Sequence, residues 1–430
     1  VLIVGIGTLA YGAAWRFQTV AMGDSASYRA DGLTIVGGWE RITDRTPGYP
    51  LLLWATGSLH GETIVLFVVQ ALLHAAAVLL VVDTARRLGI GPFGRTSIAV
   101  LLMTLPAMVI VRLSGSEALS QFLIVTATWA LIRWIYREPG PWLAVAGASC
   151  AVAVWVRPSS GAVAGALALT AAIATWHRSR ASGSAASPGA IARAVLVVLG
   201  PAVVALAALI TIHAVRFDRA EVTPLTGWYL ASKTSGFVEE LPASYEPGRS
   251  ILIAERDRQL LLGDEVDAPN YIFELRPELG AALGLDPEET DQWVLGANAH
   301  LIARHPWSYL QSVPPATIRL ADMESQPPVQ ALGVAGTWVL QLAHLLLLAA
   351  FALQACLAPG ILLTDRTRPG RGPLALSLLG ALLVVGAVGA TSVLLETGAS
   401  RLRSPVDPLL ALILVAGWEI VIGSRRRRGA

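Results

Sequence analysis

Ten apolar runs, each near the length that crosses a bilayer, punctuate this chain of 430 residues. They cover roughly 1–14, 63–82, 97–111, 118–136, 142–156, 161–176, 194–214, 335–357, 374–395 and 408–422. A transmembrane helix needs about 20 predominantly apolar residues. The composition agrees, with 54% of residues hydrophobic and 14% charged, against roughly 25% charged in soluble domains. The sequence therefore predicts an all-α polytopic membrane protein of about ten transmembrane helices with an outer-face helical loop domain. The runs at 142–156 and 161–176 form one apolar stretch broken by Arg157-Pro158-Ser159-Ser160-Gly161. Proline, glycine and a charge together predict a turn at the membrane surface, a kinked long helix being the alternative. The first run has no initiator methionine and no basic flank, so the natural N-terminus is expected upstream, and no signal peptide is visible. Cys150 and Cys356 both fall in apolar runs, which argues against a disulfide framework.

Alternate loops are rich in arginine: Arg86, Arg87 and Arg95; Arg133 and Arg137; Arg178, Arg180 and Arg193; Arg366, Arg368 and Arg371; and Arg425, Arg426, Arg427 and Arg428. These fifteen arginines face only Asp83, Glu138 and Asp365. The positive-inside rule assigns these loops, and both termini, to the cytoplasm. The terminal arginine run abuts a span, so it reads as a topology anchor and no nucleic-acid partner is expected. The expected location is the plasma (inner) membrane, multi-pass, with any chemical site on the extracytoplasmic face. Three parts follow: an N-terminal transmembrane module at 1–214 with a first outer loop at 22–61, an extracytoplasmic region at 215–333, and a C-terminal transmembrane module at 334–430.

The extracytoplasmic region is net acidic, with nine basic and eighteen acidic side chains between Val215 and Glu324. It reads as mainly helical. Apolar residues recur at helical spacing over 250–262 and 286–303, and Asp286-Pro287-Glu288-Glu289 is a helix start. His305-Pro306-Trp307-Ser308-Tyr309-Leu310 has the character of an interfacial helix. His300 and His305 have no carboxylate pattern to complete a metal set, so they read as surface histidines. The chain has no phosphate loop, no zinc-protease signature and no alternation of strands and helices that would build a nucleotide-sugar domain. If a group is transferred, its energy must arrive in another form, such as a lipid-phosphate ester in the membrane.

The polar segment from Met22 to Trp54 puts Asp24, Tyr28, Arg45 and Tyr49 at the mouth of the bundle. Ionisable groups held at a membrane boundary are costly unless paired or solvated, so they mark a candidate site. The competing reading is a solvated loop with a Pro-Gly turn. Further along stand Ser116-Glu117-Ala118-Leu119 and Trp155-Val156-Arg157-Pro158, and before the last run Glu396-Thr397-Gly398-Ala399-Ser400-Arg401-Leu402-Arg403-Ser404-Pro405. With Arg45-Thr46-Pro47-Gly48-Tyr49-Pro50 before them, this order resembles the C-type membrane glycosyltransferase superfamily, in the branch of the protein mannosyltransferases and aminoarabinose transferases. The resemblance covers most of the membrane part and leaves out the long outer region.

The resemblance implies a polyprenyl-phosphate-sugar donor, an outward-facing site and inverting transfer of a hexose or pentose to an acceptor hydroxyl on a glycan, lipid or protein. Asp24 matches the family's acidic residue beside the reaction centre. A carboxylate there would take the acceptor proton as the new bond forms. The leaving lipid phosphate already carries negative charge and needs cationic and hydrogen-bonding partners rather than a proton donor. Arg45, Arg401 and Arg403 match the family's basic positions, and Arg157 is a fourth candidate. Glu117 would orient an arginine or contact a sugar hydroxyl, and Tyr28, Tyr49 and Glu396 complete the substrate-binding candidates. The sequence departs from the family in having no lysine near these motifs, Lys233 being its only one. No cofactor is implied, and no paired-carboxylate motif asks for a divalent metal, though nothing in the sequence forbids one. The bias to arginine, alanine, valine and leucine fits a GC-rich bacterium, where cell-envelope polysaccharide is an expected acceptor.

Each residue also has a plainer role. Asp24 could cap a helix beginning at Ser25. Arg45, Arg401 and Arg403 could snorkel to the interface, Arg157 could end its span, and Glu117 could cap the next one. Asp31 and Asp44 are expected to be solvated, with Asp44 competing for the charge of Arg45. For the whole chain the alternative is a secondary transporter or lipid flippase. Transporters keep binding residues near the bilayer midplane on broken helices in related halves, whereas these charges gather at the outer ends and no halves repeat.

Overall fold

A computed structural model of the chain describes residues 1–21, 23–183, 185, 187–261, 270–321, 371–395 and 404–426. Among the described residues there is no β-strand, only one isolated parallel bridge between Val20 and Leu113. The first helices are α1 (Leu2–Ala14), α2 (Ser25–Val36), α3 (Gly48–Ala55), α4 (Ile64–Arg87), α5 (Pro92–Leu102) and α6 (Leu105–Arg112). Then come α7 (Glu117–Ile135), α8 (Trp142–Val156), α9 (Gly161–Ala181), α10 (Pro188–Phe217), α11 (Thr226–Thr234) and α12 (Gly248–Leu261). The remainder are α13 (Arg276–Leu283), α14 (Pro287–Arg304), α15 (Pro306–Gln311), α16 (Val313–Ala321), α17 (Arg371–Leu394) and α18 (Asp407–Arg426). In lipid a spanning segment must satisfy its own backbone, which a helix does within itself.

The protein is an all-α polytopic membrane protein. Among the described residues five helices are long and apolar enough to cross a membrane: α4, α7, α9, α10 and α17. α1, α8 and the segment Ser404–Trp418 are apolar but shorter. The run at 97–111 is not one span as expected. It breaks after Leu102, Thr104 is extended, and a proline in the first turn opens α6. Proline lacks the N–H that would continue the ladder, so it is tolerated in a first turn but not in a helix interior. The run at 335–357 lies outside the described residues. The stretch around Arg157 does turn: α8 ends at Val156, a 3-10 turn covers Pro158–Ser160, and α9 leaves as a separate helix packed on α8.

Small residues set the packing of these helices. A Cβ on Gly147 of α8 would lie 2.2 Å from the carbonyl oxygen of Val197 in α10, so only glycine lets the two backbones approach this closely. Without water to expel, helices in lipid associate through such close contact. α10 has 30 residues, a length of about 45 Å at 1.5 Å per residue. That exceeds a hydrocarbon core of about 30 Å, so α10 tilts or projects beyond it.

Chain alternation gives the bundle two ends. One gathers the segments around 20–61, 113–116, 157–160 and 218–321. The Val20–Leu113 bridge and the Ser25 hydroxyl, which donates to the Ser114 carbonyl at 2.8 Å, knit the first two together. α11 to α14 enclose their own apolar core around Trp228, Leu279, Val294 and Leu301. Asp286 caps α14 through a reciprocal capping box with Glu289, the start that its sequence predicts. The opposite end carries Arg87, Arg133, Glu138 and Arg178.

Candidate functional site

The first loop is ordered by α2 and α3 rather than by a solvated Pro-Gly turn. Pro47 and Gly48 instead open α3. Gly48 is required there, because a Cβ would lie 2.7 Å from the carbonyl oxygen of Trp155 at the end of α8. Beside it the Thr46 hydroxyl donates to the Val156 carbonyl at 3.2 Å. Arg45 and Arg157, each one residue from this contact, are thereby brought to the same end of the bundle.

Asp24 precedes α2, and its carbonyl accepts the N–H of Tyr28 at 3.0 Å, yet its side chain makes no capping hydrogen bond. The carboxylate instead accepts from Arg45 Nη2 at 2.7 Å. The plainer role of Asp24 as a cap is therefore not what its side chain does. Arg45 does not snorkel to solvent either. Its Nε donates to the Ser27 hydroxyl at 3.2 Å, its Nη1 donates to the Tyr229 hydroxyl at 2.9 Å, and its guanidinium lies 5.0 Å from the centre of the Tyr28 ring. Burial works against the charged form of Arg45. The fields of Tyr229, Tyr28, Asp24 and Asp44 outweigh it and hold the group above the ordinary arginine range.

Asp31 is not solvated as expected, whereas Asp44 keeps 31% of its side chain exposed but is paired. Asp31 lies on the buried face of α2, 4% exposed, and accepts the backbone N–H of Arg45 at 2.8 Å. Burial pushes its carboxyl up to about 6; the Arg45 N–H opposes this and the Asp44 charge reinforces it. Asp44 turns away from Arg45. Its carboxylate accepts from Arg276 Nη1 at 3.0 and 3.3 Å, and its carbonyl accepts from the Thr223 hydroxyl at 2.6 Å.

A second half of the constellation sits on α7 and α8. Glu117 is the first residue of α7, 3% exposed, and its Oε1 lies 3.8 Å from Arg157 Nη1. Its other oxygen has no hydrogen-bond partner among the described residues. A small pocket lies alongside, lined by Ser120, Arg157, Ser159, Ser160, Thr391 and Ser392 among others. Two rungs join the halves: the Thr46 contact above, and the Tyr28 hydroxyl donating to the Ser116 hydroxyl at 3.1 Å. Tyr49 is fully buried and packs edge-on against Tyr28, with ring centres 4.9 Å apart. Its hydroxyl donates to Gln70 at 3.3 Å, and Gln70 donates in turn to the Val111 and Leu113 carbonyls at 3.0 and 3.1 Å.

Asp24, Tyr28, Arg45, Tyr49, Glu117 and Arg157 thus form one contiguous cluster. Glu396, Arg401 and Arg403 lie outside the described residues. Ser404, which follows Arg403, has its carbonyl held by Gln121 of α7 at 2.9 Å, one turn from Glu117. Sequence reasoning missed Tyr229, Arg276 and Asp291, which α11, α13 and α14 bring to the cluster. Arg276 contacts both Asp44 and Asp291, and Trp228 Nε1 donates to Asp291 at 2.7 Å. No motif marks these residues in the sequence. Among the described residues no group of three or more metal-ligating side chains converges.

No family model matches the chain, and no curated protein sequence matches it. Two solved structures do. One is the archaeal oligosaccharyltransferase AglB from Archaeoglobus fulgidus in complex with an inhibitory peptide and a dolichol-phosphate, with a TM-score of 0.45 and 14% identity over 98% of this chain. The chain spans 50% of that protein's length. The other is ArnT from Cupriavidus metallidurans bound to undecaprenyl phosphate, with a TM-score of 0.40 and 13% identity over 98% of this chain and 77% of that one. The likeness is too distant to assign a substrate or a site residue to this chain.

Proposed function

We propose that this protein is a glycosyltransferase that moves a sugar from a polyprenyl-phosphate donor to an acceptor hydroxyl, with inversion, at the extracytoplasmic face. The observation that carries the reading is the Asp24–Arg45 ion pair at 2.7 Å, joined through Tyr28 and Thr46 to Glu117 and Arg157. Carboxylates and guanidinium groups drawn from distant segments onto one end of a membrane bundle suit a reaction that needs a base and an anion clamp together.

The chemistry assigns each group a task. The acceptor oxygen attacks the anomeric carbon while its proton passes to Asp24. The bond from that carbon to the phosphate oxygen breaks, and the electron pair leaves with the lipid phosphate. Arg45 holds the Asp24 carboxylate in an ion pair and faces the phosphate as charge builds. Arg157 is the second cation, and Arg401 and Arg403 are proposed to complete the clamp. Glu117 orients Arg157, or accepts a sugar hydroxyl on its unpaired oxygen. Tyr28 and Tyr49 form the aromatic floor.

A transporter or flippase would keep its binding groups near the middle of the bundle. The polar pair of that kind here, His74 and Gln121, bond each other at 2.6 Å, and His74 Nε2 also meets the Leu102 carbonyl at 3.0 Å. They read as a bridge between α4 and α7. Incubation of the purified protein with a panel of radiolabelled polyprenyl-phosphate sugars and candidate acceptors tests the proposal. Labelled product from one donor supports it, and none from any donor refutes it. Cysteine labelling tests sidedness: Ser182→Cys should react from the cytoplasm and Ser244→Cys from the exterior.

A further inference from the structure

Asp44 and Arg45 are neighbours in sequence, yet their side chains diverge. Arg45 turns to α2 and meets Asp24 and Ser27, while Asp44 turns to the outer helices and meets Arg276. The divergence is built. Arg276 Nη1 reaches both oxygens of Asp44, and its Nη2 is anchored on Asp291. Asp291 is 2% exposed and receives the indole N–H of Trp228, itself 1% exposed. The Thr223 hydroxyl fixes the Asp44 backbone from the same side at 2.6 Å.

We infer that Arg276 is a positioning residue that partitions charge: it draws the Asp44 carboxylate off Arg45, so that Arg45 serves Asp24 alone. Without it, the negative field of Asp44 would act on Arg45 and Asp24 uncompensated. The field of Asp44 already acts on Arg45 in the folded arrangement. Among the described residues the charged and titratable groups of the surrounding elements include Tyr28, Asp31 and the Arg29–Glu62 pair beside α2, Arg41 on the first loop, Glu117 and Arg157 on α7 and α8, and Tyr229, Arg276, Asp291 and the Arg219–Glu221–Glu288 group on the segment after α10. All but Arg276 and Asp44 are common to the variants below. The inference rests on the proposed function only for its catalytic consequence, because the charge partition has a readout that needs no substrate.

That readout is the pH at which Asp24 becomes half-labelled by a hydrophobic carbodiimide, which reacts with the protonated carboxyl, followed by peptide mass spectrometry on the full chain. Arg276→Gln keeps an amide that can donate to Asp291 but holds no charge against Asp44. The Asp24 midpoint should rise by about one pH unit in Arg276→Gln, a tenfold change in proton affinity, because an opposite charge nearby shifts a carboxyl by one unit or more. In Arg276→Gln/Asp44→Asn, where the competitor is gone, the midpoint should return to the wild-type value. An unchanged midpoint in the single variant overturns the inference. So does a midpoint that stays raised in the double variant, since that marks a displaced backbone rather than a contest for charge. If Arg276→Gln does not fold, Asp44→Asn alone decides: its midpoint must equal or fall below wild type, and a rise overturns the inference. Where transfer is measurable, the acid limb of its pH profile should move with the label. A moved label beside a fixed limb supports the partition and removes Asp24 as the base.

Discussion

Arginines meet aromatic rings and carboxylates at both ends of the bundle, but over very different sequence distances. At one end Arg133 lies between Trp129 and Trp142, at 4.8 and 3.8 Å, and donates to Glu138 at 2.6 Å. Arg87 pairs with Asp83 at 2.8 Å, one helical turn away, and Arg178 lies 4.0 Å over Trp134. Most of these partners share a helix or flank one short loop. At the other end Arg45 meets Asp24 across 21 residues and Tyr229 across 184, and Asp44 meets Arg276 across 232. Local pairs form because adjacent helical turns face each other, and exposed ones are worth roughly 0–1 kcal/mol. Long-range pairs require distant segments to be ordered against one another, which costs conformational entropy. Groups gathered at that cost mark a functional candidate, whereas the first set suffices to hold a loop at a membrane surface.

The sharpest way to break this contrast is at Asp24. Because its side chain makes no capping bond, Asp24→Asn removes the basic oxygen and the charge paired with Arg45 without loosening α2, and transfer should fall by about 10² to 10⁴, the usual share of a general base. Full activity in that variant would transfer the role to Glu117 or Asp44. Arg45→Lys comes next. A lysine cannot hold Asp24, Ser27 and Tyr229 in one planar fork, and losing hydrogen bonds between charged groups costs about 1.5–3 kcal/mol. The rate should drop about tenfold or more, and unchanged donor binding and turnover would show that the fork is dispensable.

Glu117→Gln should act mainly on stability. It removes the buried carboxylate 3.8 Å from Arg157 Nη1, at a cost of about 1–3 kcal/mol, visible as a lower melting temperature in detergent. Asp31 gives a signed pH effect. Its folded carboxyl sits at about 6, above the unfolded value of 3.8, so its contribution is fully present below about 4 and is lost as pH rises through about 6. The melting temperature of the wild type relative to Asp31→Asn should therefore decline across that window, and a flat difference would contradict the burial. The smallest effect belongs to the opposite end. Arg133→Ala should leave transfer unchanged and cost roughly 0–1 kcal/mol, although its stacking on two indoles makes the upper part of that range the expected value. A loss of activity there would erase the contrast between the ends.

Much of the architecture was legible in the chain. The apolar runs predict α4, α7, α9, α10 and α17, the Arg157-Pro158 break predicts the turn between α8 and α9, and Asp286-Pro287-Glu288-Glu289 predicts the start of α14. Each is a local property, set by apolar length, proline geometry or a cap. The break between α5 and α6 was missed because hydrophobicity stays high across Thr104, although the proline that opens α6 stands in the sequence. The burial of Asp31 and the pairing of Asp44 were missed because an isolated aspartate carries no sign of the distant group that it meets.

What the sequence determined by itself is therefore the membrane class, most of the helices and the set of charged candidates at one end. What the tertiary structure decided is who pairs with whom. Asp24 could have capped α2, Arg45 could have faced solvent, and Asp44 could have taken Arg45 for itself. Closure of the outer helices over the first loop selected among these, by supplying Tyr229 to Arg45 and Arg276 to Asp44. Those contacts span most of the chain, and no window of local sequence holds both partners. Their energies depend on distances of a few ångströms and on burial, which exist only once the helices have packed.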